Sequence, residues 1–126
     1  MSTPIEIRIG NLSVAGELND SDCAGKIADA LPIETTTRTW GEEIYFDIGI
    51  DCELGDDARD EMTIGELGYW PTGSAFCIFF GRTPVSGPDG MPKAASAVNP
   101  IGHVCGDTNV FHAIRSGQDV TLQRRQ

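Results

Sequence analysis

The chain has 126 residues, with 19 aspartates and glutamates against 9 lysines and arginines and a formal net charge of -10. That length fits a single domain, residues 1–126, with a full hydrophobic core. The negative field repels phosphate backbones and so argues against nucleic acid as a partner.

No apolar run approaches the ~18 residues that a bilayer span needs, so no membrane partner is expected. Met1 to Leu18 lacks a basic start followed by an apolar stretch, the pattern of a secretory leader. The cysteines at 23, 52, 77 and 105 form no C-x-x-C pair. The expectation is a cytoplasmic protein with reduced thiols and no cofactor.

Pro4 to Ile9 alternates, with Ile5, Ile7 and Ile9 against Glu6 and Arg8. Leu12 to Leu18 alternates again after the turn pair Gly10-Asn11, which reads as a β-hairpin. Cys23 to Leu31 places Ala24, Ile27, Ala28 and Leu31 at helical spacing, with Asp20 or Ser21 as cap. Pro32 ends that helix. A helix this short needs a sheet to lie on.

Ile33 to Trp40 is threonine-rich, and Ile44, Phe46, Ile48 and Ile50 alternate with Tyr45, Asp47 and Gly49. These stretches predict a second hairpin around Trp40-Gly41-Glu42-Glu43, with the Ile and Phe side chains inward and Glu43, Tyr45 and Asp47 outward. Asp51 to Glu61 is strongly acidic and reads as a solvated loop. Its spacing does not fit an EF-hand.

Thr63 to Pro84 is the centre of the sequence. It carries two apolar runs split by Pro71-Thr72-Gly73-Ser74, and Ala75 to Phe80 is the most hydrophobic segment, a buried strand. Arg82 to Ala97 is rich in Gly and Pro and reads as a long loop. Val98 to Val104 reads as a strand, Asp107 to Arg115 as a second helix, and Asp119 to Leu122 as a last strand before a frayed basic tail. The pattern predicts a mostly β domain: a closed barrel of about eight strands capped by two short α-helices.

The stretches W-G-E-E-I-Y-F (Trp40 to Phe46), G-E-L-G-Y-W-P-T-G-S-A-F-C-I-F-F-G-R-T-P (Gly65 to Pro84) and A-S-A-V-N-P-I-G-H-V (Ala95 to Val104) resemble a family of small bacterial and archaeal proteins with a cyclophilin-like fold. The resemblance implies a closed eight-stranded barrel capped by two helices, and no particular activity. The same fold resembles domains of allophanate-hydrolase and oxoprolinase-type subunits, an analogy of fold alone.

Cyclophilins that isomerise prolyl bonds use an Arg to polarise the amide. Against their motif, Arg38 is the candidate Arg, one position out of register, and Glu43 and Tyr45 stand where Met and Gln would be. A carboxylate beside the prolyl amide opposes that electrophile, so the resemblance implies a binding groove without the full isomerase motif.

The candidate ligand site is therefore Glu43, Tyr45 and Trp70, with Ala75 and Cys77 lining the same groove and Arg38 at its margin. A pocket needs an apolar floor and a few directed polar groups, which these supply. The expected partner is a small molecule or a peptide. Two further readings stay open: a small enzyme, either a weak isomerase using Arg38 or a hydrolase related by fold to allophanate or oxoproline metabolism, and an interaction module that dimerises through the Arg82 to Ala97 loop or a barrel edge. His103, Cys105 and His112 form a His/Cys cluster that reads as a strand edge and a helix surface rather than a metal site. Cys105 is the best-placed thiol for chemistry, since it precedes a helix start and lies two residues from His103.

Overall fold

The computed structural model describes residues 2–125. It contains β1 (Thr3–Ile9), β2 (Leu12–Leu18), α1 (Asp22–Ala30), β3 (Ile33–Thr36), β4 (Arg38–Thr39), β5 (Glu43–Asp47), β6 (Arg59–Glu61), β7 (Glu66–Trp70), β8 (Ala75–Phe79), β9 (Lys93–Cys105) and β10 (Asp119–Arg124). Short 3-10 turns span Pro71–Gly73 and Thr108–Ala113. The expected second α-helix is thus a 3-10 segment, and there is one α-helix among the described residues.

The strands form one ten-stranded sheet in the order β3-β10-β1-β2-β9-β7-β8-β5-β4, with β6 on β9. The predicted closed eight-stranded barrel is not what the hydrogen bonds build. The two ends of the path, β3 and β4, are consecutive in the chain and are joined through Thr37 rather than paired.

That corner is tightly held. Thr37 is buried. Its hydroxyl donates to the Arg115 carbonyl at 2.6 Å and accepts from the Gln118 N–H at 2.9 Å. Its own N–H donates to the Gln118 carbonyl, and its carbonyl accepts from Gly117. One residue therefore turns the strand from one edge of the sheet to the other with its polar groups satisfied.

The alternation read from the sequence sets the inner face. Ile5, Ile7, Ile9, Val14, Leu18, Ile44, Phe46, Phe76 and Ile78 are buried in one cluster, joined by Ile27 and Ala28 of α1. The Ser21 hydroxyl caps α1 by accepting from the Ala24 N–H at 3.3 Å. Phe46 and Phe76 stack with centroids 5.2 Å apart.

A second, smaller cluster lies on the other side of β8: Met62, Ala75, Cys77, Phe79, Ala94 and Val98, with Tyr45 and Trp70 packed against it. Every residue of β8 is consequently buried. The cover comes from the first half of β9 and from β6, which pairs with it through Arg59↔Val98 and Glu61↔Lys93. The last part of the long loop expected over Arg82 to Ala97 is this cover, since β9 begins at Lys93. Gly68 of β7 lets the cover come close: a Cβ there would stand 2.9 Å from Val98 Cγ2 and 3.2 Å from the Phe79 ring.

The acidic loop is anchored rather than free. The Tyr69 hydroxyl donates to the Ile50 carbonyl and accepts from the Cys52 N–H. The Asn99 side chain accepts from the Gly55 N–H and donates to the Glu53 carbonyl. At the other end, Arg124 is not frayed: it closes β10 opposite Ile5 and donates to the Ala28 carbonyl at 2.9 Å. None of the described helices is long and apolar enough to cross a membrane.

Three substitutions test this architecture by urea denaturation. Thr37→Val leaves the Arg115 carbonyl and the Gln118 N–H without their side-chain partner and is expected to cost about 2 kcal/mol, whereas Thr39→Val on the exposed side of the corner stays within about 0.5 kcal/mol of the parent. Equal effects at both positions would remove Thr37 from its role. Gly68→Ala forces Val98 outward and is expected to cost about 1–3 kcal/mol; a neutral result would show that the cover does not press on β7.

Candidate functional site

The outer face of β5, β8 and β7 is set by register. Tyr45 lies opposite Cys77, which lies opposite Gly68; Glu43 lies opposite Phe79, and Trp70 opposite Ala75. Directly opposed residues share a face. The side chains that the sequence assigned outward, Glu43 and Tyr45, therefore do point away from the inner core, and they meet Trp70 there.

A cavity of about 180 Å³ opens on this face, lined by Trp40, Glu43, Tyr45, Trp70, Ala94, Ala95 and Val98. Tyr45 and Trp70 meet edge to face, centroids 6.3 Å apart at 82°. The indole N–H of Trp70 donates to the Ser96 hydroxyl at 2.7 Å, which ties the ring to the covering strand. Gly73 lies under the same ring, where a Cβ would stand 3.1 Å from it.

Glu43 is the polar group of the cavity and is only 5% exposed. Burial pushes its carboxyl up from 4.5 to about 7, partly offset by a hydrogen bond from the Cys77 thiol. Cys77 is itself held well above the usual thiol range, first by burial and then by Glu43, so it stays protonated and donates. Among the described residues no cation pairs with Glu43. A buried carboxyl with so little compensation is costly to ionise.

The remaining sequence candidates fall as follows. Ala75 and Cys77 are on the expected face but are fully covered, beneath the cavity rather than on its wall. Arg38 stands opposite Tyr45, which places it on the same face, yet it is exposed and is not a lining residue.

Trp40 and the covering residues Ala94, Ala95 and Val98 are lining residues that the sequence reading did not select. The W-G turn marks Trp40 as a corner residue, but only the fold brings it into the lining of the same cavity as Glu43. Nothing local in the sequence places Ala94 or Val98 over β8.

A larger, open cleft of about 700 Å³ lies between the start of α1 and the acidic loop, lined by Asp22, Cys23, Lys26, Cys52, Asp57 and Asn99 among others. Burial, followed by the neighbouring Cys52 thiol, pushes Cys23 up to about 12, which makes it a poor nucleophile at neutral pH. His103 and Cys105 lie on β9 and His112 on the following 3-10 segment, and the three do not converge, in keeping with the reading of a strand edge and a helix surface. His112 instead meets Glu42 at 3.1 Å and packs edge-on against Phe80.

Comparison with known proteins agrees with the fold and with the resemblance seen in the sequence. The model for proteins described as cyclophilin-like matches residues 3–123. The solution structure of the hypothetical protein AF2241 from Archaeoglobus fulgidus is similar at 33% identity, with a TM-score of 0.81 over 98% of this chain and 95% of that one. No curated protein matches. With its mostly β architecture and a family match spanning nearly the whole chain, this protein belongs to the cyclophilin-like family.

Proposed function

We propose that the protein binds a small ligand, free or as one residue of a peptide, in the cavity formed by Trp40, Glu43, Tyr45 and Trp70. The observation that carries this reading is the Glu43 carboxyl, 5% exposed and without a cationic partner among the described residues, in the lining of a cavity with three aromatic walls. A ligand that supplies the missing partner recovers the cost of burying that group.

Aromatic faces around a carboxylate favour an organic ammonium head, and the net charge of -10 draws cations toward the surface. The volume of about 180 Å³ is below the usual range for drug-sized ligands, which points to a compact head group or a single side chain.

A second reading, weak prolyl isomerisation, is favoured by the position of Arg38 directly opposite Tyr45 on the cavity's face. Arg38 would then act from the margin on a peptide whose proline enters the cavity. Proline-peptide turnover that falls on Arg38→Ala supports this reading, and turnover unchanged by that substitution removes it.

The binding reading is tested by thermal shift with small alkylammonium compounds, neutral amides and proline peptides. A ligand at a hundred times its dissociation constant adds about 2.7 kcal/mol of stability, a shift of several degrees in a domain this size. Glu43→Gln and Trp70→Ala are expected to abolish the shift; a hit that survives both substitutions places the ligand elsewhere. For an ammonium ligand the affinity rises as pH climbs through about 7, because the ionised carboxyl is the partner. A ligand that weakens over the same range accepts a hydrogen bond from neutral Glu43 instead.

The same group sets a pH dependence of stability in the free protein. A folded-state value of about 7 against 4.5 means that the stabilisation is full below 4.5 and is lost as pH rises through about 7. Relative to Glu43→Gln, the parent is expected to lose roughly 3 kcal/mol between about pH 5 and above about pH 8 in urea denaturation. Parallel pH profiles for the two proteins would show that Glu43 is not desolvated.

A further inference from the structure

A separate group of side chains sits on the outer face of β2 and β9, away from the aromatic cavity. His103 and Cys105 are two residues apart on β9 and so share a face. β2 pairs antiparallel with this segment, placing Glu17 directly opposite His103 and Ala15 opposite Cys105. One ligand atom from each of Glu17, His103 and Cys105 lies within 4.8 Å of the others, and His103 Nε2 is 3.8 Å from Glu17 Oε2.

We propose that Glu17, His103 and Cys105 form a binding site for a zinc-class divalent metal ion, with the fourth position open to water or a ligand. The donor set carries the choice of metal. Thiolate, imidazole and carboxylate together suit zinc, whereas calcium and magnesium require oxygen donors throughout. Bonds of about 2.0–2.3 Å around a tetrahedral ion set donor atoms roughly 3.3–3.8 Å apart. The observed separations need only small rotamer adjustments to reach that spacing.

The strands beneath the site are fixed. A Cβ at Gly102 would stand 1.9 Å from the Glu17 carbonyl oxygen, so β2 and β9 approach at this point as closely as a glycine allows. Metal ligands on paired strands are held more precisely than ligands on loops. Glu17 and Cys105 are half-buried and His103 is exposed, which leaves an entry path for the ion. His112, the other histidine of the chain, is engaged with Glu42 and takes no part.

The test is a cobalt(II) and zinc(II) titration of the reduced full-length protein. Cobalt is expected to bind with one equivalent per chain and to give a thiolate-to-cobalt charge-transfer band with the visible intensity of a tetrahedral centre. Cys105→Ser removes the band, while Cys52→Ser leaves it. His103→Ala and Glu17→Gln weaken zinc binding by roughly tenfold or more, since even loss of supporting groups costs that much. All four positions are at least partly exposed, and metal-free melting curves check that each variant is folded. Zinc also shifts the imidazole resonances of His103 and leaves those of His112 in place. No band in the parent protein, a band retained in Cys105→Ser, or a zinc shift confined to His112 overturns the assignment.

Discussion

The structure depends on a strand that is buried on both sides. Ala75 to Phe79 presents Phe76 and Ile78 to the inner cluster and Ala75, Cys77 and Phe79 to the outer one. A barrel-like sheet needs only one apolar face; two apolar faces demand a second layer. That layer is the first half of β9 with β6, the last three residues of the acidic stretch. Once it is in place, Glu43, which alternation alone would leave in solvent, is sealed beside Phe79. The cavity is thus a by-product of covering β8, and its chemistry comes from the one carboxyl trapped under the cover.

β9 serves several roles along one run. Lys93 to Val98 forms the cover, Asn99 to His103 pairs with β7, and Gly102 to Cys105 pairs with β2 on the other side. The register shift between Leu67 and Gly68 lies where the strand passes Pro100, whose missing N–H cannot continue a regular ladder. A strand that changes partners along its length links the aromatic cavity at one end to the Glu17, His103 and Cys105 face at the other. The cavity and the proposed metal-binding face share this strand and no side chain.

The local half of this plan was legible in the sequence. The first hairpin, the capped helix, the turn at Trp40-Gly41 and the outward face of Glu43 and Tyr45 all follow from period and turn chemistry, and each acts within a few residues. Trp70 was legible through its aromatic body before Pro71. Three features were not legible, because each depends on pairing between distant segments. Gly and Pro between Arg82 and Pro92 disguise the start of β9 as a continuing loop. Two strands joined through a single residue, Thr37, read as one threonine-rich strand, which makes the sheet look closed. Glu17 and His103 are far apart in sequence, so their opposition appears only with the β2–β9 register, whereas His112, nearer in sequence, turns away on a 3-10 segment.

A carboxyl that titrates near 7 serves a binding site and an acid–base catalyst equally well, so its position must decide between them. Catalysis needs a second group aimed at the same reacting atom. The Cys77 thiol that acts on Glu43 is fully buried and held protonated, out of reach of a ligand in the cavity. Arg38 shares the face but projects outside the cavity wall. The other walls, Trp40, Tyr45, Trp70, Ala94 and Val98, offer mainly shape and aromatic surface. A lone desolvated acid amid aromatic rings is complementary to a ligand's charge or hydrogen-bond donor in the ground state, and uniform stabilisation of that kind holds a ligand without lowering a barrier. On this geometry the binding reading stands ahead of the catalytic one.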